Sequence, residues 1–404
     1  MPTGSEKPER WQLDSVYAGY DSEAYRSDRD ELVKASSSLL KKLADKSARK
    51  KDPGKWLKDV LKRFDAATGL VRTLGAYIHC NYAVDTKDSH TLAELNSLDE
   101  DALALREAEV RFRTELRPLR KKLPALAKKS KTIGRFRFYL EEQIELADRQ
   151  MSIAEENVAA DLMRPGADAW SRLQDQISSN LTWPWEGEER KTVVELRSLA
   201  MDADRAVREK AYRKELEAWK SMEIPLAASL NGVKGFTVIL DKRRNYESPL
   251  DHAAFQSRIT RRTLDAQIQT MESNLGVFRT YLKEKAKLLG QEKLAFYDLF
   301  APVGSTNRTW GFREARNFIV EQFNTFSWEL GDFAEHAFSE KWIDAEPRAG
   351  KVGGAFCISL PQAGESRILA NFDGSFDSLF TLAHELGHGY HGFVLNDLPY
   401  LQRS

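Results

Sequence analysis

A histidine and glutamate motif near the end of the chain has the residue types and spacing of a zinc site. Residues 381–391 read Thr-Leu-Ala-His-Glu-Leu-Gly-His-Gly-Tyr-His and contain His384, Glu385 and His388. Four residues span about one helical turn, so the two imidazoles would share one helix face and could bind one zinc ion. Glu385 is then placed to take a proton from a metal-bound water rather than to bind the metal. The motif therefore predicts metal-assisted hydrolysis.

A zinc site of this type needs a third protein ligand, and the residues near the motif offer few candidates. His391 follows His388 by three residues, but ligands at i, i+4 and i+7 of one helix do not close easily on a tetrahedral ion, because each turn rises about 5.4 Å. We therefore favour a supporting position for His391, with the ligand role kept as the alternative. Asp397, the one acidic residue in the tail, is a weaker candidate. Asp377 lies on the same predicted face as the histidines and is expected to support them.

The elements that must hold this motif are predicted to be mostly helical. Apolar residues recur with helical period over 25–44, 55–82 and 91–116, and helical patterns continue to about residue 338. Strand patterns appear at 353–360 and 367–372, which predicts a hairpin directly before the motif helix. Ser375 is the expected N-cap of that helix. The fold class is therefore mainly α, with a small β-hairpin or sheet before the His-Glu-x-x-His helix.

The motif helix itself is predicted to have a buried side and a functional side. The buried side is an apolar stripe of Leu379, Leu382, Leu386 and Phe393. Gly387 and Gly389 each cost about 1 kcal/mol relative to alanine inside a helix. We expect both glycines to mark places where metal, substrate or another backbone approaches the helix closely.

Bulk composition limits the classes of function. The chain has 404 residues, a formal net charge of zero and only two cysteines, Cys80 and Cys357. This balance predicts no nucleic-acid or membrane partner, and the cysteine usage suits a reducing compartment. The N-terminus has no apolar signal region, so a cytoplasmic location is expected. A break at 183–185 predicts two domains, a helical one over 1–188 and the first part of a catalytic one over 189–404.

Several stretches resemble the thimet oligopeptidase family of metallopeptidases, and its oligoendopeptidase F branch in particular. The most specific likeness is carried by 381–391 together with the preceding Ile-Leu-Ala-Asn-Phe-Asp-Gly at 368–374. Residues 342–357, 281–302 and 11–13 are also similar to that branch. The likeness runs over nearly the whole chain.

This resemblance implies a mostly helical, zincin-like metallopeptidase that encloses a channel and cleaves short peptides inside it. His384 and His388 match the family's zinc ligands, and Glu385 matches its general base. The region that pairs with substrate backbone corresponds to Gly353, Gly354, Ala355 and Phe356. An edge strand at that place would bind a peptide by strand addition.

The resemblance also implies that the third zinc ligand is a glutamate roughly two dozen residues after the second histidine, which falls beyond Ser404. The chain is therefore expected to be an incomplete and inactive fragment, with a complementing C-terminal fragment as a candidate partner. The alternatives are a non-catalytic helical shell that binds peptides, one half of a complementing pair, or a metal hydrolase with a non-peptide substrate.

Overall fold

The chain is mainly helical, as predicted. A computed structural model describes residues 7–304 and 309–403, and 72% of the protein is helix. The helices of the described ranges are α1 Glu23–Ala44, α2 Lys46–Lys51, α3 Pro53–Val84, α4 Ser89–Asp101, α5 Leu103–Leu116, α6 Leu123–Lys129, α7 Lys131–Arg135, α8 Arg137–Arg149, α9 Ile153–Met163, α10 Ala169–Asn180, α11 Val193–Ser198, α12 Arg205–Ser221, α13 Glu223–Arg243, α14 Pro249–Gln256, α15 Arg261–Ser273, α16 Leu275–Leu288, α17 Phe312–Phe326, α18 Trp328–Ser339 and α19 Phe376–Val394. The strands are β1 Thr182–Pro184, β2 Arg190–Thr192, β3 Ile343–Asp344, β4 Phe356–Leu360 and β5 Glu365–Leu369.

The predicted helices at 25–44 and 55–82 are confirmed as α1 and α3. The predicted segment 91–116 is two helices, α4 and α5, which meet at Ala102. Short 3₁₀ turns lie at Arg117–Lys122, Leu199–Met201, Phe296–Asp298, Leu395–Asp397 and Tyr400–Gln402, and a π turn lies at Arg164–Asp168.

Contacts divide the chain into two compact units, Met1–Pro165 with Trp310–Ser404, and Gly166–Thr309. In the first unit, the long helix α3 packs against α1, α4 and strand β4. Its side chains Trp56, Val60 and Leu61 are at most 1% exposed, so the periodic stripe does form a core. A second cluster of buried apolar residues joins α17, α18, β5 and α19.

A three-stranded sheet in the first unit has the order β3-β5-β4. The predicted hairpin is confirmed, since β4 and β5 pair antiparallel with Phe356 opposite Leu369 and Leu360 opposite Glu365. Strand β3 pairs parallel to β5 and was not predicted, because two residues carry too little pattern. Among the described strands, β4 therefore lies at a sheet edge.

The second unit contains α10 to α16 and the two-stranded sheet of β1 and β2. Its small core cluster is formed by Leu181, Val193 and Ala218, with Trp183 packed against it. A buried carboxylate stabilises this unit, because Asp298 accepts hydrogen bonds from Arg205 and Arg208. These contacts tie α12 to the turn after α16.

The boundary between the two contact units differs from the predicted domain boundary between residues 188 and 189. Trp183, which marked the predicted break, packs against the core cluster of the second unit. The contact break instead falls at Pro165-Gly166, and the C-terminal segment joins the N-terminal helices because β4 packs against α3. Linear sequence patterns do not carry this non-local pairing, and the division at 188/189 stays a prediction about folding domains.

The helices also bear on membrane association. Within residues 7–304 and 309–403, every helix falls short of the length or the apolar character that a bilayer crossing demands.

Candidate active site

The motif lies on α19, and local sequence explains where this helix begins. The Ser375 hydroxyl accepts a hydrogen bond from the N–H of Ser378 at 3.1 Å, which confirms the predicted N-cap. Leu379, Leu382 and Leu386 are at most 3% exposed and pack into the second apolar cluster. Phe393 is 52% exposed, so its predicted place in the buried stripe is wrong. Its ring touches the edge of the cluster, 5.6 Å from the ring of Phe333, and the cluster does not extend over it.

The two histidines of the motif converge as the spacing predicts. Both side chains are exposed, and Nε2 of His384 lies 3.1 Å from Nε2 of His388. The rings are nearly perpendicular, at 87°. Two zinc–nitrogen bonds of about 2.0–2.1 Å at a tetrahedral angle would separate the nitrogens by about 3.3 Å. The pair therefore fits one zinc ion without a change of helix geometry.

Glu385 lies on the same helical turn but is buried, with 7% of its surface exposed. Among residues 7–304 and 309–403 it makes no ion pair, and its charge acts on the neighbouring Cys357 thiol. A divalent cation held by the adjacent histidines would place a positive charge beside this carboxylate, so the donor set and the carboxylate are compatible with one metal ion.

A complete set of metal ligands is not present in the described part of the chain. No group of three or more His, Cys, Asp or Glu side chains there is placed to hold a metal ion. His391 is exposed one turn beyond His388, and Asp377 is exposed in the first turn of α19. The contacts give neither residue a ligand position, and their supporting roles stay predictions.

The two glycines of the motif differ in their surroundings. A Cβ atom at Gly389 would lie 3.0 Å from Cζ of Phe333 and 3.7 Å from Sγ of Cys357. A Cβ atom at Gly387 would have nothing within 4 Å among the described residues. Close approach is therefore found at Gly389 alone, and the approaching group is an aromatic side chain rather than the metal, substrate or backbone that was expected. The described residues give no steric reason for Gly387.

This difference predicts opposite effects of alanine at the two glycines. Gly387→Ala should stabilise the protein by up to about 1 kcal/mol, because alanine favours helix and nothing resists its methyl group. Gly389→Ala should be less stable than Gly387→Ala by at least about 1 kcal/mol, since overpacking against Phe333 offsets the helical gain. Urea unfolding of both variants measures the difference, and equal stabilities would contradict the packing seen at Gly389.

The predicted substrate segment leads directly into the edge strand β4. Gly353 and Gly354 are exposed, while Ala355 and Phe356 are half-buried. The Phe356 ring packs 5.1 Å from the His79 ring and thereby anchors the start of the strand. The binding role of this segment stays a prediction.

Strand β4 presents backbone groups at its open edge, next to the motif helix. Since Ile368 of β5 donates its N–H to Trp342 on the β3 side, its partner Cys357 directs its own backbone groups away from β5. The Cys357 side chain lies against the turn of α19 that follows Glu385, so one face of β4 packs on the motif helix.

The Cys357 thiol itself is structural. Burial raises the pKa of Cys357 to about 12, with a smaller opposing effect from a hydrogen bond to Ser366. A thiol with that pKa is protonated at neutral pH and is a poor nucleophile. Cys357 therefore acts as a packing residue between β4 and α19.

Two polar residues that sequence reasoning missed hold the segment before β4. The buried ammonium of Lys351 is 2.7 Å from Oδ1 of Asp344 and donates to the carbonyl of Ala370 at 2.6 Å. Burial lowers the pKa of Lys351 to about 8, against the opposing effect of Asp344. The Asn371 amide bonds two carbonyls of the segment. A single lysine and a single asparagine carry no spacing signal that would have identified them.

With this geometry established, comparison with known proteins assigns the family. Residues 198–398 match the model of peptidase family M3, and residues 120–183 match that of oligopeptidase F. This chain belongs to the oligoendopeptidase F branch of family M3. The resemblance stated from 381–391 is thereby confirmed.

Individual relatives agree with this family and its fold. Group B oligopeptidase PepB of Streptococcus agalactiae is 26% identical over 205 residues, which are 50% of this chain and 34% of that protein. A solved chain from Bacillus anthracis has a TM-score of 0.73 at 17% identity and covers 92% of this chain and 66% of its own. Oligoendopeptidase F of Enterococcus faecium has a TM-score of 0.65 at 18% identity, with coverages of 91% and 63%. The M3 chain thus spans about a third of the curated relative and about two thirds of the solved structures.

Proposed function

We propose that this chain carries the two-histidine and general-base part of a zinc-dependent endopeptidase that hydrolyses short peptides. The observation that carries the proposal is the 3.1 Å approach of the His384 and His388 Nε2 atoms, with the buried Glu385 between them in sequence. Membership of family M3 supports peptide hydrolysis over a non-peptide substrate.

Each residue of the motif has a separate task in this proposal. His384 and His388 would hold zinc through Nε2, and Glu385 takes a proton from the attacking water and later delivers it to the leaving amine. When bound, zinc supplies a Lewis acid that polarises the scissile carbonyl and makes water acidic. The open edge of β4, with Gly353–Phe356, receives the peptide backbone by strand addition. His391 and Asp377 orient the ligands from outside.

The third ligand is proposed to lie outside the described residues. This follows from the tetrahedral preference of zinc and from the two convergent donors found here. A complementing polypeptide or a continuation of this one would then supply it, and the 404 residues alone would bind zinc weakly. The second candidate function, a peptide-binding shell without turnover, is favoured only by this incomplete ligand set.

Chelation tests the proposal. The protein used is the natural protein, which includes whatever polypeptide supplies the third ligand. We expect it to cleave a fluorogenic peptide and to lose this activity when 1,10-phenanthroline removes zinc. Added Zn²⁺ should restore cleavage and Mg²⁺ should not, because imidazole ligands favour zinc. Cleavage that survives complete removal of zinc would overturn the proposal. Peptide binding without any turnover in the zinc-loaded protein would favour the shell instead.

A further inference from the structure

We propose that Asn371 is a positioning residue for the peptide substrate, which rests on the proposed function. Its side-chain amide holds the exposed Gly353-Gly354 segment in the conformation that presents backbone donors to a peptide. In the described part of the chain, the Asn371 side chain donates to carbonyls of the segment and makes no hydrogen bond to the histidine pair or Glu385, so its effect is exerted through the segment.

The contacts of Asn371 form a clamp. Its Nδ2 donates to the carbonyl of Gly354 at 2.9 Å and to the carbonyl of Val352 at 3.2 Å. The two bonded carbonyls flank Gly353 in sequence, so one amide fixes the chain on both sides of this residue. Both hydrogens of the amide are used, and neither carbonyl remains fully available to another donor.

The segment has little other support. Gly353 and Gly354 are exposed, and a Cβ at Gly354 would meet nothing within 4 Å among the described residues. Gly354 has φ +79°, a conformation that glycine adopts freely and also leaves freely. The Val352 N–H donates to the Ala83 carbonyl at 2.9 Å and anchors the chain before the two glycines. The exposed glycines themselves gain order from the bonds of Asn371.

The clamp leaves donors free for a peptide. In the described part of the chain, the N–H groups of Gly353, Gly354 and Ala355 make no hydrogen bond to another backbone group. Asn371 engages one of the two lone pairs of each of the Val352 and Gly354 carbonyls, so the three N–H groups are the donors that the segment offers. Such a surface suits the carbonyl oxygens of an extended peptide.

The backbone on both sides of Asn371 is held by hydrogen bonds to the β3 segment. The neighbouring residues Ala370 and Phe372 both donate their N–H groups to carbonyls of the β3 segment, each at 2.9 Å. The buried Lys351 donates to the Ala370 carbonyl and pairs with Asp344. The hydrogen bonds of Asn371 therefore hold the glycine segment at a fixed position relative to the sheet.

The segment is also close enough to the chemistry for its position to matter. It continues into β4, where Cys357 lies beside Gly389 on α19, one turn after Glu385. A peptide aligned by the segment is thus aligned with the general base. Loss of the clamp should weaken peptide binding in both the ground and transition states, and such uniform loss raises KM with little change in kcat.

The test uses the natural protein with three single variants. Asn371→Ala removes the clamp, and Asn371→Asp keeps its shape but replaces both donors with an acceptor that repels the carbonyls. Asn396→Ala is the matched control, because Asn396 Nδ2 donates to the Gly364 carbonyl at 2.9 Å at the far end of the same hairpin. The readouts are kcat and KM for a fluorogenic peptide, peptide affinity in a Glu385→Gln background, zinc content and thermal unfolding.

We expect KM to rise about tenfold in Asn371→Ala and at least as much in Asn371→Asp, with kcat within about threefold and zinc content unchanged. Asn396→Ala should keep the KM of the natural protein. An unchanged KM in the Asp variant would overturn the positioning role while leaving the proposed function intact. A natural protein that neither binds nor cleaves peptides would overturn the proposed function and this role with it.

Discussion

Replacing Glu385 with glutamine should lower kcat for peptide cleavage by about 10²–10⁴-fold while zinc stays bound. Glutamine has nearly the same shape, so the buried site should accommodate it without unfolding. Its amide cannot take a proton from the attacking water, and this is the step assigned to the carboxylate. The measurement is turnover of a fluorogenic peptide by the natural protein, with zinc content determined on the same samples.

A second carboxylate provides the control for this variant. Glu329 of α18 is exposed and accepts a weak hydrogen bond from the Tyr390 hydroxyl at 3.5 Å, so it lies near α19 outside the His-Glu-x-x-His motif. Glu329→Gln should leave turnover within about twofold, as expected for a surface substitution. Full activity in Glu385→Gln would refute the assignment of the general base, whatever Glu329→Gln does.

Removing one imidazole of the pair should have the largest effect on metal binding. His388→Ala should weaken zinc affinity by more than about 100-fold, because loss of a residue that merely supports a ligand already costs about 10–100-fold. His391→Ala should fall within that smaller range if His391 supports the site. Competition with a chromophoric chelator measures both affinities and does not depend on peptide turnover.

His90 is the matched control for the imidazole series. It is exposed on α4, with its Nε2 4.0 Å from a carboxylate oxygen of Glu94, and it lies outside the motif. His90→Ala should therefore keep the zinc affinity of the natural protein. A loss in His391→Ala as large as that in His388→Ala would instead make His391 a ligand, the alternative that the sequence left open.

The motif could be predicted from sequence because its geometry is local. The i, i+4 spacing of His384 and His388 fixes their convergence once the segment is a helix, and Ser375 and the leucine stripe fix the helix. The helix face that carries Glu385 also follows from the helical period. The burial of Glu385 could not be predicted in this way, because it depends on the strand that packs against the helix.

Non-local features were beyond the sequence. Strand β3 has only two residues, so its pairing with β5 has no periodic signature. The clamp of Asn371 joins residues that are 17 and 19 positions apart, across the hairpin. The packing of β4 on α3, which unites the two ends of the chain in one unit, spans still longer separations.

The close approach expected at the glycines illustrates the same limit. Helix propensity identifies Gly387 and Gly389 as costly residues, but not which neighbour they admit. At Gly389 the neighbour is Phe333, which lies on α18. The sequence thus predicted close contacts at both positions, and the structure shows one only at Gly389, with a partner that the sequence did not indicate.

The most direct test of the central claim is a zinc-edge anomalous difference map from crystals of the natural protein. We predict one peak at about 2.0–2.1 Å from Nε2 of both His384 and His388, with the Glu385 carboxylate outside bonding distance of the metal. A zinc-loaded crystal in which the peak lies at other residues, or in which Glu385 replaces a histidine as ligand, would contradict the account.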